Sequence, residues 1–317
     1  MLLLVTRRDD ITADYLIERL LARNIAYLRL DVDHYLDDVF LTAEFDAQGV
    51  HGEVITPQGK ASLESVRGVW YRRALAPRLH HLDLTSGDRE FAERESRHFL
   101  EGALGAVPAR WVNPWPAVHL WERKLGQLPL AAACGFRVPR TIVSTDSAWL
   151  SRAAAEMPVV IKAIAQGFHE TKDGVESVYT HALPAERLTD ARAASVCPTL
   201  VQERLTKVAD IRLTVVGERL FAARLDADLH DGLDWRRPDT AVRYSSVEVP
   251  FQIAAAVLAM NRRTSLRYGA YDFALMPDGE WVFLEVNPAG EFAWIEEELG
   301  FPIRDALIDE LLTEAAT

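Results

Sequence analysis

A chain of 317 residues has room for about two domains and an ample core, and its net charge of −12 argues against a broad polyanion-binding surface, so nucleic acid is not an expected partner. The longest apolar run, Ile253 to Met260, cannot span a bilayer, and the apolar start MLLLV is too short for a signal peptide. Two cysteines, Cys134 and Cys197, offer neither a disulfide framework nor metal spacing, so the expectation is a soluble, cytoplasmic protein without a membrane partner.

The first hundred residues alternate in type. Leu2 to Thr6 reads as a buried strand, Asp14 to Arg23 as an amphipathic helix with Leu16, Leu20 and Leu21 on one face, and Ile25 to Leu30 as a second strand. That βαβ opening favours a parallel sheet covered by helices, hence an α/β fold. VFLTAEF, VHGEVIT and GVWYRR follow as strands, and Ser86 to Ala106 as a helix. Composition shifts at Asn113-Pro114-Trp115-Pro116, where a domain boundary is expected. A helix then runs to Cys134, with Gly135 at its C′ position and Pro129 as an internal kink. RTIVS, PVVIKAI, SVYTHA and TLVQERL read as short strands between Ala-rich helices. Two hairpins and a helix from Pro250 to Arg263 complete the chain.

The last hairpin is the most informative. YDFALM and WVFLEVNPAG are joined by Pro277-Asp278-Gly279-Glu280, and a two-residue Asp278-Gly279 turn sets Asp272 directly opposite Glu285. Facing carboxylates repel by roughly 4 kcal/mol at ~4 Å and an effective dielectric of 20, so a shared proton, an Arg or a metal must offset them. Asn287 shares their face and adds a neutral oxygen; three hard oxygens in an incomplete cage suit Mg²⁺ completed by phosphate and water.

No G-x-x-x-x-G-K-[ST] or G-x-G-x-x-G occurs, so a bound phosphate needs another scaffold. The chain has 30 Arg but only 5 Lys, which draws notice to Lys124 in WERKLGQL and Lys162 at the end of PVVIK. In LVQERLTKVADIRLTVVGERL, Gln202 and Glu203 mark a bend. A hairpin then turns at Gly217-Glu218, with Ile211, Leu213 and Val215 on one face and Asp210, Arg212 and Thr214 on the other. Among other candidates, His80-His81 and the HDGLDWRR pair His230 and Asp231 lack partners that would make a catalytic or metal set.

In this order the motifs resemble the ATP-grasp superfamily from about Pro116 onward, with the βαβ region similar to its pre-ATP-grasp domain. VWYRR, DWRR, YGAYDFAL and FLEVNPAGEFAW resemble the ATP-grasp ribosomal peptide maturases of the microviridin, or graspetide, type across nearly the whole chain. The resemblance implies a pre-ATP-grasp domain over 1–114, a central subdomain over 115–198 and a C-terminal catalytic subdomain over 199–317, the last two sandwiching ATP. It implies Lys124 and Lys162 on the α- and β-phosphates and the Gln202–Leu205 hinge, including Leu205, on adenine. An acid among Glu203 and Asp210 would reach the ribose, Asp272, Glu285 and Asn287 would hold Mg²⁺, and Arg212 would meet the γ-phosphate and the developing oxyanion.

Asp210 departs from the Glu of some relatives. Arg72, Arg73, Arg236 and Arg237, with Trp235, are candidates for contacting the peptide, the arginines by bidentate forks to its carboxylates. The implied activity is ATP-dependent macrocyclisation of a ribosomal precursor peptide, leader plus acidic core, through acyl phosphates to ω-esters or ω-amides, by a homodimer. Two other functions compete: a ligase acting on free amino acids or a protein C-terminus, and a nucleotide-binding regulatory module without turnover.

Overall fold

The computed structural model describes residues 1–72, 77–165, 167–171, 174–182, 196–228, 233–237 and 240–314. The chain opens with β1 (Leu2–Thr6), α1 (Ile11–Ala22) and β2 (Tyr27–Asp31). Asp10 caps α1 by accepting from the Thr12 and Ala13 amides, satisfying two of the donors a helix start leaves over. Ala13, Leu16 and Leu20 are buried, whereas Leu21, expected on the same face, is 61% exposed. Adjacent helical residues are about 100° apart, so Leu21 cannot follow Leu20 inward.

The strands β3 (Phe40–Asp46), β4 (Gly49–Thr56) and β5 (Gly59–Ser62) form an antiparallel sheet of their own. Then β6 (Gly68–Tyr71), α2 (Ser86–Gly105) and β7 (Arg110–Val112) complete a parallel sheet of order β2-β1-β6-β7. Leu2, Leu4 and Trp70 pack with α1 on one face, while Leu3, Val5, Val69 and Tyr71 pack with α2 on the other. The chain leaves β1 toward β2 and returns to β6 on the opposite side, so the order reverses between β1 and β6. An open crevice is expected at the carboxyl ends of strands flanking such a reversal.

The single helix expected before Cys134 is two: α3 (Trp115–Trp121) and α4 (Lys124–Ala133). Arg123 is extended between them and makes Lys124 the first residue of α4; Gly135, with φ +99°, follows its C-cap Cys134. Next come β8 (Thr141–Ser144), α5 (Ser147–Glu156), β9 (Val159–Lys162), β10 (Phe168–Thr171), β11 (Gly174–Ser177), β12 (His181–Ala182) and β13 (Thr199–Glu203). The order β12-β9-β13-β8 makes an antiparallel sheet, and among the described residues β10 pairs with β11 alone. The strand expected over SVYTHA is thus divided between the end of β11 and the short β12.

The last portion holds β14 (Ala209–Val216), β15 (Arg219–Ala227), β16 (Val242–Ser246), α6 (Phe251–Thr264), β17 (Tyr268–Leu275), β18 (Trp281–Asn287), α7 (Ala293–Leu299) and α8 (Ile303–Leu312). Its antiparallel sheet has the order β16-β15-β14-β17-β18. Ile211, Leu213, Val215, Tyr271, Phe273 and Phe283 bury one face against α4 and α6, leaving the alternate residues on the other.

The β17–β18 turn corrects the two-residue expectation. The Met276 amide donates to the Glu280 carbonyl (2.9 Å), Gly279 has φ +88°, and Pro277, Asp278 and Gly279 form a three-residue loop. Three-residue hairpin loops place a residue in the left-handed region, which glycine occupies without steric cost. Phe273 therefore pairs with Phe283, one residue off the two-residue register; a β-bulge at Leu284 then restores Asp272 opposite Glu285. The expected pairing stands, reached through two offsetting irregularities.

Candidate active site

Across three neighbouring strands lie Arg212, Asp272 and Glu285, each opposite the next. Arg212 Nη1 meets both oxygens of Asp272, at 2.8 and 2.7 Å, and its Nη2 donates to the Glu291 carbonyl at 3.4 Å. Lys124 Nζ lies 2.7 Å from Glu285. The Asn287 amide donates to Glu285 at 3.1 Å and to Asp272 at 3.5 Å. The offset that facing carboxylates require is here supplied by one cation each.

Burial, reinforced by Glu285, pushes the Asp272 carboxyl above its ordinary range even against Arg212. Burial also acts on Glu285, yet Lys124 and the Asn287 amide hold its carboxyl below that range. Because Leu284 is the extra residue of the bulge, Leu284 and Glu285 both face the cleft, between the core residues Phe283 and Val286. Bulges re-aim side chains in this way. Two carboxylates converge here with the Asn287 amide nitrogen toward them; turning that amide over adds its oxygen to the two acids, and this set of hard donors fits a divalent cation such as Mg²⁺.

Residues that sequence reasoning missed hold this floor in place. Gln127, one turn beyond Lys124 on α4 and wholly buried, donates to the Val286 carbonyl and accepts from its amide, both at 2.8 Å. One short helix therefore positions Glu285 through Lys124 and the strand between Glu285 and Asn287 through Gln127. Asn113, in the expected boundary segment, is also buried and bonds the backbone of Arg267, Tyr268 and Pro288. A polar residue on an otherwise apolar helix face was the visible signal for Gln127.

The opposite wall of the cleft, whose volume is about 980 Å³, carries the other cations. Lys162 Nζ donates to Gln202 Oε1 at 2.8 Å, and Gln202 Nε2 donates to Thr141 at 2.9 Å. Burial lowers the Lys162 pKa to about 8, with Lys207 and Lys124 adding to the fall and Glu285 opposing it. Lys207, also missed, grips both oxygens of Asp210 at 2.7 and 2.6 Å and the Leu233 carbonyl at 3.0 Å. Three of the five lysines line one cleft, so the scarcity of Lys was itself the signal.

Gln202 and Glu203, expected at a bend, instead end strand β13, and Leu205 just beyond them lines the cleft. The Glu203 carboxylate accepts from the Arg140 amide at 3.2 Å and lies 3.8 Å from Arg137, leaving Asp210 as the acid set deeper in the cleft.

The expected peptide-facing arginines divide. Arg72 is wholly buried: it pairs with Asp10 at 3.0 Å and Glu291 at 2.8 Å, and donates to the Ala289 and Gly290 carbonyls at 2.8 and 3.0 Å. Its fork is turned inward, which corrects the expectation that it presents itself to peptide carboxylates. Arg73, His230 and Asp231 lie outside the described residues. Arg236 lines the cleft, half-exposed, and forms a bidentate pair with Asp234 at 2.8 and 2.7 Å. That pair holds the buried Asp234 carboxyl far below its usual range. Arg237 lies near the Thr180 carbonyl at 3.5 Å. Trp235 packs on Trp294 with centroids 5.5 Å apart, and Tyr244 joins them at 5.2 Å. His80 and His81 are exposed.

Residues 1–119 match the MvdD pre-ATP grasp domain family. Over 98% of its length the chain superposes on 96% of the Chryseobacterium gregarium RiPP-associated ATP-grasp ligase, solved with ADP and a leader and core peptide, with TM-score 0.87 and 26% identity. Macrocyclase MdnC of Microcystis aeruginosa MRC, bound with precursor peptide MdnA, matches with TM-score 0.85 and 26% identity, covering 99% of this chain and 100% of that one. The chain has the fold of ATP-grasp peptide ligases, with a pre-ATP grasp domain at its start. Macrocyclase MdnB from the same organism matches this ATP-grasp enzyme with TM-score 0.82 and 27% identity over 98% of its chain and 99% of the other. No curated protein sequence matches it with significance. No helix among its described residues is long and apolar enough to cross a membrane.

Proposed function

We propose that this enzyme uses ATP and Mg²⁺ to phosphorylate Asp or Glu side chains of a precursor peptide and then closes ω-ester or ω-amide links to Ser, Thr or Lys. The observation that carries the reading is the Arg212–Asp272–Glu285 row with Asn287 beside it, open to a cleft lined by three lysines. A module that only binds adenine does not need two facing, half-buried carboxylates. The relatives bound to leader, core and precursor peptides favour a peptide over free amino acids.

Lys124 and Lys162 are assigned to the phosphates, Gln202, Glu203 and Leu205 to the adenine side, Asp210 with Lys207 to the ribose, and Asp272, Glu285 and Asn287 to Mg²⁺. The ion supplies charge neutralisation between the phosphates. Lys124, now on Glu285, is expected to turn toward phosphate when nucleotide arrives. Trp235 and Arg236 are assigned to the peptide.

In the first step a peptide carboxylate oxygen bonds to the γ-phosphorus as the bond to the bridging oxygen breaks, and ADP leaves. A hydroxyl or amine then attacks the acyl carbon, loses its proton, and phosphate departs with the carbon–oxygen bonding pair. Arg212, fixed by Asp272 and the Glu291 carbonyl, faces the charge that develops. Catalysis of this kind is positioning and electrostatic stabilisation. We also assign a pre-ATP-grasp domain to 1–114, a central subdomain to 115–198 and a catalytic subdomain to 199–317. A cytoplasmic homodimer is the assembly proposed; two-fold pairing is the commonest oligomeric arrangement, and sedimentation tests it.

The decisive experiment is mass spectrometry of an acidic candidate precursor peptide incubated with enzyme and Mg-ATP. Loss of one water per link, with ADP released, is expected; a gain in mass from added amino acids, or ATP binding without turnover, overturns the reading. Arg212→Ala should lower turnover by about two to three orders of magnitude.

A further inference from the structure

The crevice at the carboxyl ends of β1 and β6 is filled on one side only. On the α1 side, Asp10 and Arg72 take up the 289–291 loop. On the α2 side a cavity of about 250 Å³ remains, walled by Val5, Tyr71, Leu100, Leu104, Trp111 and Trp115. It stands at the topological reversal of the parallel sheet, where open α/β sheets bind ligands. Tyr71, His119 and Glu122 line both this cavity and the large cleft, so the two are contiguous. His119 is fixed there by Tyr71 Oη at 3.1 Å and by the edge-on ring of Trp115, with centroids 5.5 Å apart.

We propose that this cavity is a side-chain pocket for an aromatic residue of the peptide, separate from the acids that react. The proposal rests on the peptide-ligase reading for the source of the ring. Size supports it: an apolar cavity of about 150 Å³ suffices for benzene, so this one holds a ring and its Cβ. The walls are apolar and aromatic, and offset or edge-on ring contacts with the two tryptophans are the favoured geometry. Charge supports it too. Glu101, 3.8 Å from His119, and the exposed Glu122 outnumber the lining guanidinium of Arg97, so the rim disfavours an acidic side chain, which is left to the Arg212 end of the cleft. The pocket would sort the non-reacting residue from the reacting one.

Ligand-observed NMR on the full chain without nucleotide tests this, using N-acetyl-phenylalaninamide as probe and N-acetyl-aspartamide and N-acetyl-lysinamide as comparisons. The ring is expected to bind and the other two are not. Leu104→Phe, which fills the cavity, should weaken the probe by about tenfold or more. Leu104→Ala, which enlarges it, should shift preference toward N-acetyl-tryptophanamide, with melting curves confirming that each variant folds. Binding unchanged in both variants, or a preference for the lysine probe, overturns the pocket. The readout uses neither ATP nor turnover. Binding of the ring with no peptide ever cross-linked therefore sinks the ligase reading and leaves the pocket standing; cross-linking without ring binding does the reverse.

Discussion

Both major sheets carry paired charge, the parallel one at the carboxyl ends of its strands and the five-stranded one midway along them, and they treat it in opposite ways. In the parallel sheet, Asp10 and Arg72 close on each other, on Thr6 and on the 289–291 loop, and Thr12 reaches Glu291. In the five-stranded sheet, Arg212, Asp272, Glu285 and Asn287 pair yet remain on the wall of a cleft of about 980 Å³. Charge folded in on itself fixes one part of the molecule against another. Charge paired at the edge of an open volume can be re-paired by a ligand, and that is the difference between scaffold and site.

The comparison breaks if the two ends respond alike to substitution. The largest effect is expected for Asp272→Asn, which removes an oxygen assigned above to the proposed Mg²⁺ site and the partner of Arg212: ADP formation should fall by about three orders of magnitude with melting temperature little changed. Arg72→Leu should do the opposite. Removing one member of a buried pair costs about 3–5 kcal/mol, which urea unfolding would register. Gln127→Ala leaves a buried amide and carbonyl of Val286 unpaired, at about 1–3 kcal/mol, and should loosen Glu285 as well; thermal melting and Mg²⁺ dependence together read both effects.

The smallest effect sharpens the contrast within the cleft. Lys162 loses its proton near pH 8 instead of at its ordinary 10.5. Phosphate affinity should therefore be full below pH 8 and fall by up to about tenfold per unit above it, in an ATP titration against pH. Folding has the reverse sign. Between about 8 and 10.5 the unfolded chain holds this proton and the folded chain does not, so the Lys162 contribution to stability rises with pH. Affinity and stability moving together across that window would contradict the assigned environment.

Much of this was legible because strands alternate with a period of two. Glu285 beside Asn287, Asp272 across from them, and Asp210 and Arg212 opposite the apolar Ile211 and Leu213 all follow from that period. Arg72 was misread because a strand-end arginine looks the same from sequence whether it faces a ligand or a distant loop; its partners at 289–291 are more than two hundred residues away. Lys207 was missed because its pairing with Asp210 depends on a bend no local pattern marks. The break between α3 and α4 was hidden for a similar reason, since nothing in WERKLGQL forbids a continuous helix.

The turn after Leu275 and the kink at Leu284 each shift the pairing by a single place, in opposite senses. The hairpin therefore works like two wrong notes that restore the tune: losing either one alone would rotate Glu285 and Asn287 relative to Asp272. With the same residues but no bulge, Glu285 would pair with Tyr271 and face the packed side of the sheet; with the bulge kept and a two-residue turn at Asp278-Gly279, Val286 would stand opposite Asp272. The spacing of this row is inherited as a matched pair of irregularities, so the pairing can shift at one of them only if it shifts back at the other.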